Sequence, residues 1–437
     1  MRKTLIILFI IAMASTLLQA GETKQFTLSN GMVVVLKENH STRMVSSIVC
    51  VRAGSKFEDK TNNGFTHFLE HLLFNGTKNL TRIELNEGFK DHGGYINAFT
   101  RKDLTGYLFV IPSTFAEYAL RTQADQLFNS TLPESEFPKE RKIVIEEIKM
   151  DNDNPASQNE AFFDSIIYQD TPYAQTVLGD KEIISTIPRE MVETYYRERY
   201  LPNNMIALFI GDFEIEQFAK LVEKYYGCYP SGELLPAQSF EINPPYNKEV
   251  HIREIPAAEI TTIHMVFPAP RYNEPDYYAV DMLIQILDSG EGSPLYKALT
   301  GGDEPLVNEM YIYLESNSDF SLIHFSAKTN FPEKIENIVA STGSYLQSLG
   351  DQLFDKKILK RIVVKNKTDK IYLEEKLHYY GVIQAPMLVN FGCNYIETYV
   401  DKLSEIKPRD VQQAALKYFS NREYLAMATV PLSKEEN

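Results

Sequence analysis

Two hydrophobic periodicities alternate along this chain. Apolar residues gather in short runs at 25–36, broken by Asn30-Gly31, and again at 45–51, which predicts strands with a tight turn between the first two. Ser47-Ile48-Val49-Cys50-Val51 is apolar enough to predict a buried strand that holds Cys50 in its core. The spacing then changes to three and four, and helices are predicted over 64–75, 81–91, 114–128, 138–150 and 189–199. A second series opens with strands at 249–254 and 260–267 and continues with helices at 277–287 and 332–349.

Part of the pattern repeats. Pro188-Arg189 opens a helix that leads through a loop at 200–203 to an apolar strand at 205–210. Pro408-Arg409 opens another, followed by a loop at 420–423 and a strand at 425–430. Both the Pro-Arg pairs (408 − 188) and the strand starts (425 − 205) are 220 residues apart. Helix, loop and strand at one shared offset predict duplicated architecture. The expected fold is α+β: two homologous sandwich-like domains, each a mainly antiparallel sheet covered by helices. The Pro-, Gly- and polar-rich stretch 229–248 is expected to be the linker between an N-terminal domain, 21–228, and a C-terminal domain, 249–437.

Composition narrows the function. The 437 residues carry a net charge of −15, which argues against nucleic acid as a partner. Three cysteines (Cys50, Cys228 and Cys393) are too few for a disulfide scaffold and fit no CxxC metal site. Residues 1–20 have the layout of a signal peptide: Arg2 and Lys3, an apolar run at 5–18, and a small residue, Ala20, at the cleavage point. Fourteen apolar residues rise about 21 Å as a helix, short of a ~30 Å bilayer core. Export without stable membrane insertion is expected.

The candidate chemistry starts in the first predicted helix. His67 and His71 stand four apart in His67-Phe68-Leu69-Glu70-His71, so one face offers two imidazoles to one metal ion, with Glu70 beside them. This reverses the HExxH order and is an inverted zinc motif. A metal would need a further ligand. The 138–150 helix offers Glu140 and Glu147, two turns apart on one face. Glu147 could reach the metal while Glu140 orients a histidine, although from this segment alone a solvated acidic face is the simpler reading. Gly93-Gly94 precedes a short strand containing Asn97, Ala98, Phe99 and Thr100, and a strand at a sheet edge could capture an extended peptide.

With these residues in view, the sequence resembles the pitrilysin/insulinase-like inverzincin peptidases. It looks closest to the single-length branch that includes mitochondrial processing peptidase subunits and bacterial homologues. That family pairs HxxEH with a glutamate about 76 residues beyond the second histidine, and here 147 − 71 is 76. The resemblance implies one zinc ion per chain on His67, His71 and Glu147, with Glu70 as general base and Glu140 as the assisting acid. It also implies peptide binding along Asn97–Thr100 and a fold that forms half of a clamshell. Ser293-Pro294-Leu295 is similar to a family Ser-x-Leu segment. The bacterial branch suggests a periplasmic location.

One family feature is missing. Complete members carry an Arg, and a Tyr seven residues later, in the C-terminal half. Here no Arg occurs between Arg271 and Arg361, and Tyr311 and Tyr313 lack that companion. The expected assembly is therefore a heterodimer with a homologous subunit that supplies the Arg–Tyr pair. The competing expectations are a non-catalytic peptide-binding or structural subunit and a zinc enzyme of another class, such as an amidohydrolase.

Overall fold

A computed structural model describes residues 22–432, apart from 248, 302–304 and 421. The leader at 1–20 lies outside the described residues, as does part of the segment where the Arg–Tyr pair would fall. No helix among the described residues is long and apolar enough to cross a membrane.

The first half opens with β1 (Thr23–Thr27), β2 (Val33–Glu38) and β3 (Met44–Val51), followed by α1 (Phe65–Leu72) and α2 (Arg82–Asp91). The hairpin of β4 (Tyr95–Thr100) and β5 (Thr105–Pro112) comes next. Then come α3 (Ala116–Asn129), α4 (Phe137–Asp153), α5 (Pro155–Ile167), α6 (Lys181–Thr186) and α7 (Arg189–Arg199). Strand β6 (Met205–Gly211) and helix α8 (Ile215–Tyr226) close the half. The strands form one sheet in the order β1-β2-β6-β3-β5-β4, so β4 is an edge. Only β2 and β6 run parallel in it.

Between α8 and β7 (Val250–Ile255) no helix or strand forms among the described residues. The second half continues with β8 (Thr261–Pro268), α9 (Tyr277–Leu287), α10 (Pro294–Thr300), β9 (Glu309–Ser316) and β10 (Ser321–Thr329). Helices α11 (Ile335–Ser348), α12 (Lys356–Glu375), α13 (Leu377–Phe391), α14 (Cys393–Glu405) and α15 (Pro408–Tyr418) lead to β11 (Leu425–Pro431). Its sheet order is β7-β11-β8-β10-β9.

Matching β7 to β2, β8 to β3, β9 to β4, β10 to β5 and β11 to β6 makes the two orders the same, except that β1 extends the first sheet by one strand. The parallel pair recurs too, β7 with β11. The helices keep the same sequence: α9 and α10 stand where α1 and α2 do, and α11 to α15 where α3 to α7 do. The fold is therefore a duplicated α+β unit, and the 220-residue offset holds between Met205 and Leu425, the first residues of β6 and β11.

Each sheet is apolar on both faces. One face of the first sheet packs under α1, α3, α4, α7 and α8 through residues such as Val49, Phe68, Leu120, Val144, Val192 and Phe218. Its other face, with Ile48, Cys50, Leu108 and Leu208, is covered by Leu377, Tyr380 and Leu388 of α13. The second sheet shows the reciprocal arrangement: its outer face, with Val266, Leu322 and Met427, is covered by Phe163 and Ile167 of α5. Each half thus donates one helix to the other's sheet. Gly381 makes the approach of α13 possible, because a Cβ there would lie 2.9 Å from the Ile48 side chain.

Candidate metal centre

Helix α1 carries the chemistry and is anchored from both sides. Phe68, Leu69 and Leu72 are fully buried, which fixes the face that His67, Glu70 and His71 must share. At its start, Gly64 adopts φ +97° and lies against Gly179, where a Cβ on either residue would collide with backbone. The buried Glu58 carboxylate accepts the Gly64 N–H at 2.8 Å and the Thr66 N–H at 2.7 Å, occupying donors that a helix N-terminus leaves free.

Helix α4 packs beside α1, with the Phe68 and Phe137 rings 5.0 Å apart. This brings one Glu147 oxygen to 3.3 Å from His71 Nε2 and 3.7 Å from His67 Nε2. One ligand atom from each of His67, His71 and Glu147 lies within 4.8 Å of the others. Those spacings are long for hydrogen bonds, whose mode is near ~2.9 Å. They resemble the edges of a zinc tetrahedron, about 3.3 Å for bonds of about 2.0–2.1 Å.

Ring orientation fits the same purpose. His71 Nδ1 sits 3.6 Å from Glu140, which leaves Nε2 directed at Glu147. Buried Glu140 is in turn held by Arg82 at 2.9 Å, and Arg82 also reaches Glu136 at 2.9 Å. His67 Nδ1 is buried without a well-formed hydrogen bond, the Leu178 carbonyl being the polar group beside it. Burial, helped by the nearby His71, pushes the His67 pKa down to about 4, so its ring is neutral and able to ligate. For His71, burial pulls the pKa down, but Glu140, Glu147 and Glu70 outweigh it and the net shift is upward. The donor set therefore suits a divalent cation such as zinc.

Glu70 lies next to His71 but outside this triad. The Thr100 hydroxyl, at the end of β4, donates to Glu70 Oε2 at 2.6 Å. Burial raises the Glu70 pKa, and the Thr100 hydrogen bond and His71 partly offset the shift. Glu70 and His71 face an open cavity of about 520 Å³, where Arg82, Ile96 and Asn97 also line the wall. Of the four β4 residues singled out from the sequence, Thr100 faces α1, and Ala98 packs into the core on that side. Phe99 turns to the opposite face, toward α13, and Asn97 borders the cavity.

Family models match in two consecutive blocks. Residues 33–181 match the one described as "Insulinase (Peptidase family M16)", and residues 186–365 match "Peptidase M16 inactive domain". The chain belongs to the M16 (insulinase) peptidase family. It is 34% identical over 206 residues to "Uncharacterized zinc protease YmxG" of Bacillus subtilis, a match covering 47% of this chain and 50% of that protein. It is 35% identical over 226 residues to "Probable mitochondrial-processing peptidase subunit beta" of Schizosaccharomyces pombe, covering 51% and 48%. The chain thus spans about half the length of these curated relatives. A solved structure titled "The crystal structure of a protease from Helicobacter pylori" superposes with a TM-score of 0.84 at 23% identity, covering 94% of this chain and 100% of that one; it shows the shared fold. Of these relatives, the Bacillus subtilis protein is named as a zinc protease and the Schizosaccharomyces pombe protein as a peptidase subunit.

Glu58, Arg82 and the Leu178 carbonyl went unnoticed in the sequence. Glu58 stands six residues before Gly64, outside the usual capping spacing. Arg82 carries no local signal beyond its place in a capped helix start.

Proposed function

We propose that this chain is a zinc-dependent endopeptidase for peptides or small unfolded polypeptides, and the catalytic member of a heterodimer. The observation that carries this reading is the convergence of His67, His71 and Glu147 within 4.8 Å, with Glu70 alongside and hydrogen-bonded to edge strand β4. A zinc ion held by those three residues would supply Lewis acidity toward a water molecule and the scissile carbonyl. Glu70 takes the water's proton and returns it to the leaving amine. Because Thr100 occupies Oε2, Oε1 is the oxygen that exchanges the proton. Glu140, backed by Arg82, keeps the His71 ring turned so that Nε2 faces the metal position. An extended peptide pairs with the free edge of β4, which sets its register through backbone groups and leaves side-chain preference to the cavity walls.

The partner is a homologous subunit that brings the Arg–Tyr pair. Tyr311 and Tyr313 lie exposed on β9, and the segment has no arginine to accompany them. Export to a periplasm rests on the leader-like residues 1–20. The test is cleavage of a quenched fluorescent peptide by the chain alone and with its candidate partner, with and without a chelator. Activity is expected only from the complex; it should vanish with the chelator and in Glu70→Gln, which should still bind zinc. Full activity of the chain alone would overturn the heterodimer, activity that survives chelation would overturn the zinc-dependent mechanism, and no cleavage in any pairing would overturn the enzyme reading. The "inactive domain" description of residues 186–365, a block without the candidate metal residues, leaves one alternative open, a non-catalytic peptide-binding subunit. That subunit would bind peptide without cleaving it in any pairing.

A further inference from the structure

The duplication places a counterpart of the metal centre in the second half. Helix α9 stands where α1 does, α12 where α4 does, and edge strand β9 where β4 does. Asp281 and Gln285 are four apart on α9, the spacing of His67 and His71 on α1. Gln285 is joined across to α12 by Asn366, whose amide donates to its carbonyl oxygen at 2.7 Å. In this half an open cavity of about 300 Å³, walled by α9 and α12 together with α13 and α14, lies beside the helix pair instead of a metal triad.

The cavity combines two carboxylates, Asp281 and an Asp369 already paired with Lys365 at 2.8 Å, with aromatic walls. Tyr277, Tyr395 and Tyr399 line it, with Asp281 among them and Leu314 and Ser316 of β9 at its side. Ring centroids are 5.6 Å apart for Tyr395 and Tyr399 and 6.3 Å for Tyr277 and Tyr395. Asp281 accepts hydrogen bonds from the Tyr399 hydroxyl and, at 3.3 Å, from Gln285, both neutral donors. Among the described residues it has no cationic partner. Lys370, which also lines the cavity, pairs with Glu397 at 3.4 Å. Burial pushes the Asp281 carboxyl up and these hydrogen bonds offset it only in part, so the group lacks the compensation a buried anion needs.

We propose that this cavity binds an organic cation, the ammonium or guanidinium end of an alkyl chain, with its head on Asp281 and its stem along Tyr277, Tyr395 and Tyr399. A carboxylate supplies the countercharge and ring faces attract a cation, a combination that an apolar side chain cannot exploit. The volume suits a single lysine- or arginine-sized group. The source is either a basic side chain of a polypeptide or a free amine.

The test uses the full chain in the presence of a chelator, so that failure of the zinc reading leaves it untouched. Calorimetric titrations compare N-acetyl-lysine methylamide, the arginine analogue, the uncharged norleucine analogue and cadaverine. Binding of a basic probe at least tenfold tighter than the norleucine analogue is expected, with a loss of tenfold or more in Asp281→Asn at unchanged melting temperature. Tighter binding of cadaverine than of both amino-acid probes assigns the site to free amines, and the reverse to polypeptide side chains. Binding of every basic probe no tighter than the norleucine analogue overturns the proposal, as does undiminished binding to Asp281→Asn. Should that variant fail to fold, the comparison of probes on the unmodified chain decides.

Discussion

Replacing Thr100 by valine tests the coupling of the peptide-binding edge to the general base. The hydroxyl donates to Glu70 Oε2 at 2.6 Å, and Thr100 pairs with Thr105 at the end of the β4–β5 hairpin. Valine keeps the branched shape and the preference for a strand, so the change removes one hydrogen bond and little else. A hydrogen bond to a charged group contributes about 1.5–3 kcal/mol, equivalent to roughly 10–150-fold in rate if all of it serves to orient the base in the transition state. In steady-state assays on the complex, kcat is expected to fall by about tenfold to a hundredfold with KM nearly unchanged, because the peptide is held through backbone groups. Zinc content by elemental analysis should remain at one per chain, and Thr100→Ser should recover most of the rate. An unaltered kcat in Thr100→Val would refute the reasoning. So would a loss of rate that merely follows a loss of zinc.

Three further outcomes follow from other contacts. Glu140→Gln weakens the anchor behind His71 and should raise the zinc dissociation constant by about 10–100-fold in a chelator competition titration, whereas unchanged affinity would remove Glu140 from the metal site. His264 is buried, 2.9 Å from His324 and stacked on Phe163, and burial, then His324, holds its pKa well below 6.5. Its folded pKa is depressed, so the unfolded chain binds this proton first as pH falls below 6.5; stability is full above that value and declines by up to about 1.4 kcal/mol per pH unit below it. Urea midpoints at pH 7.5 and 5.5 should show this, and His264→Gln should flatten the dependence; an equal slope in both proteins would exclude His264 as its source. A fragment ending at residue 228 strips α13 from Ile48, Leu108 and Leu208 and should aggregate unless residues 377–405 are co-expressed; a soluble, cooperatively folding fragment would show that the exchanged helix is dispensable.

The residues of the candidate site were readable because each lies on a helix whose apolar face is clear. Phe68, Leu69 and Leu72 fix where His67, Glu70 and His71 point, and Val144 and Ile148 do the same for Glu140 and Glu147. What joins those helices is tertiary and left no local trace. Glu58 acts across a loop, and Leu178 reaches His67 only because Gly64 and Gly179 touch. The hairpin of β9 and β10 went unread for a related reason: β10 is buried almost throughout yet carries Ser321, His324, Ser326 and Thr329, so it shows neither alternation nor a continuous apolar run. Helix α13 defeats propensity as well, with Gly381 and Pro386 inside it and apolar residues around much of its circumference. Both features follow from its position: it lies flat on the other half's sheet, where Gly381 permits close approach to Ile48. A division of the chain read from composition separates the two sheets. It cannot show that each sheet is completed by a helix from the other half, and this exchange gives the two repeats a shared core.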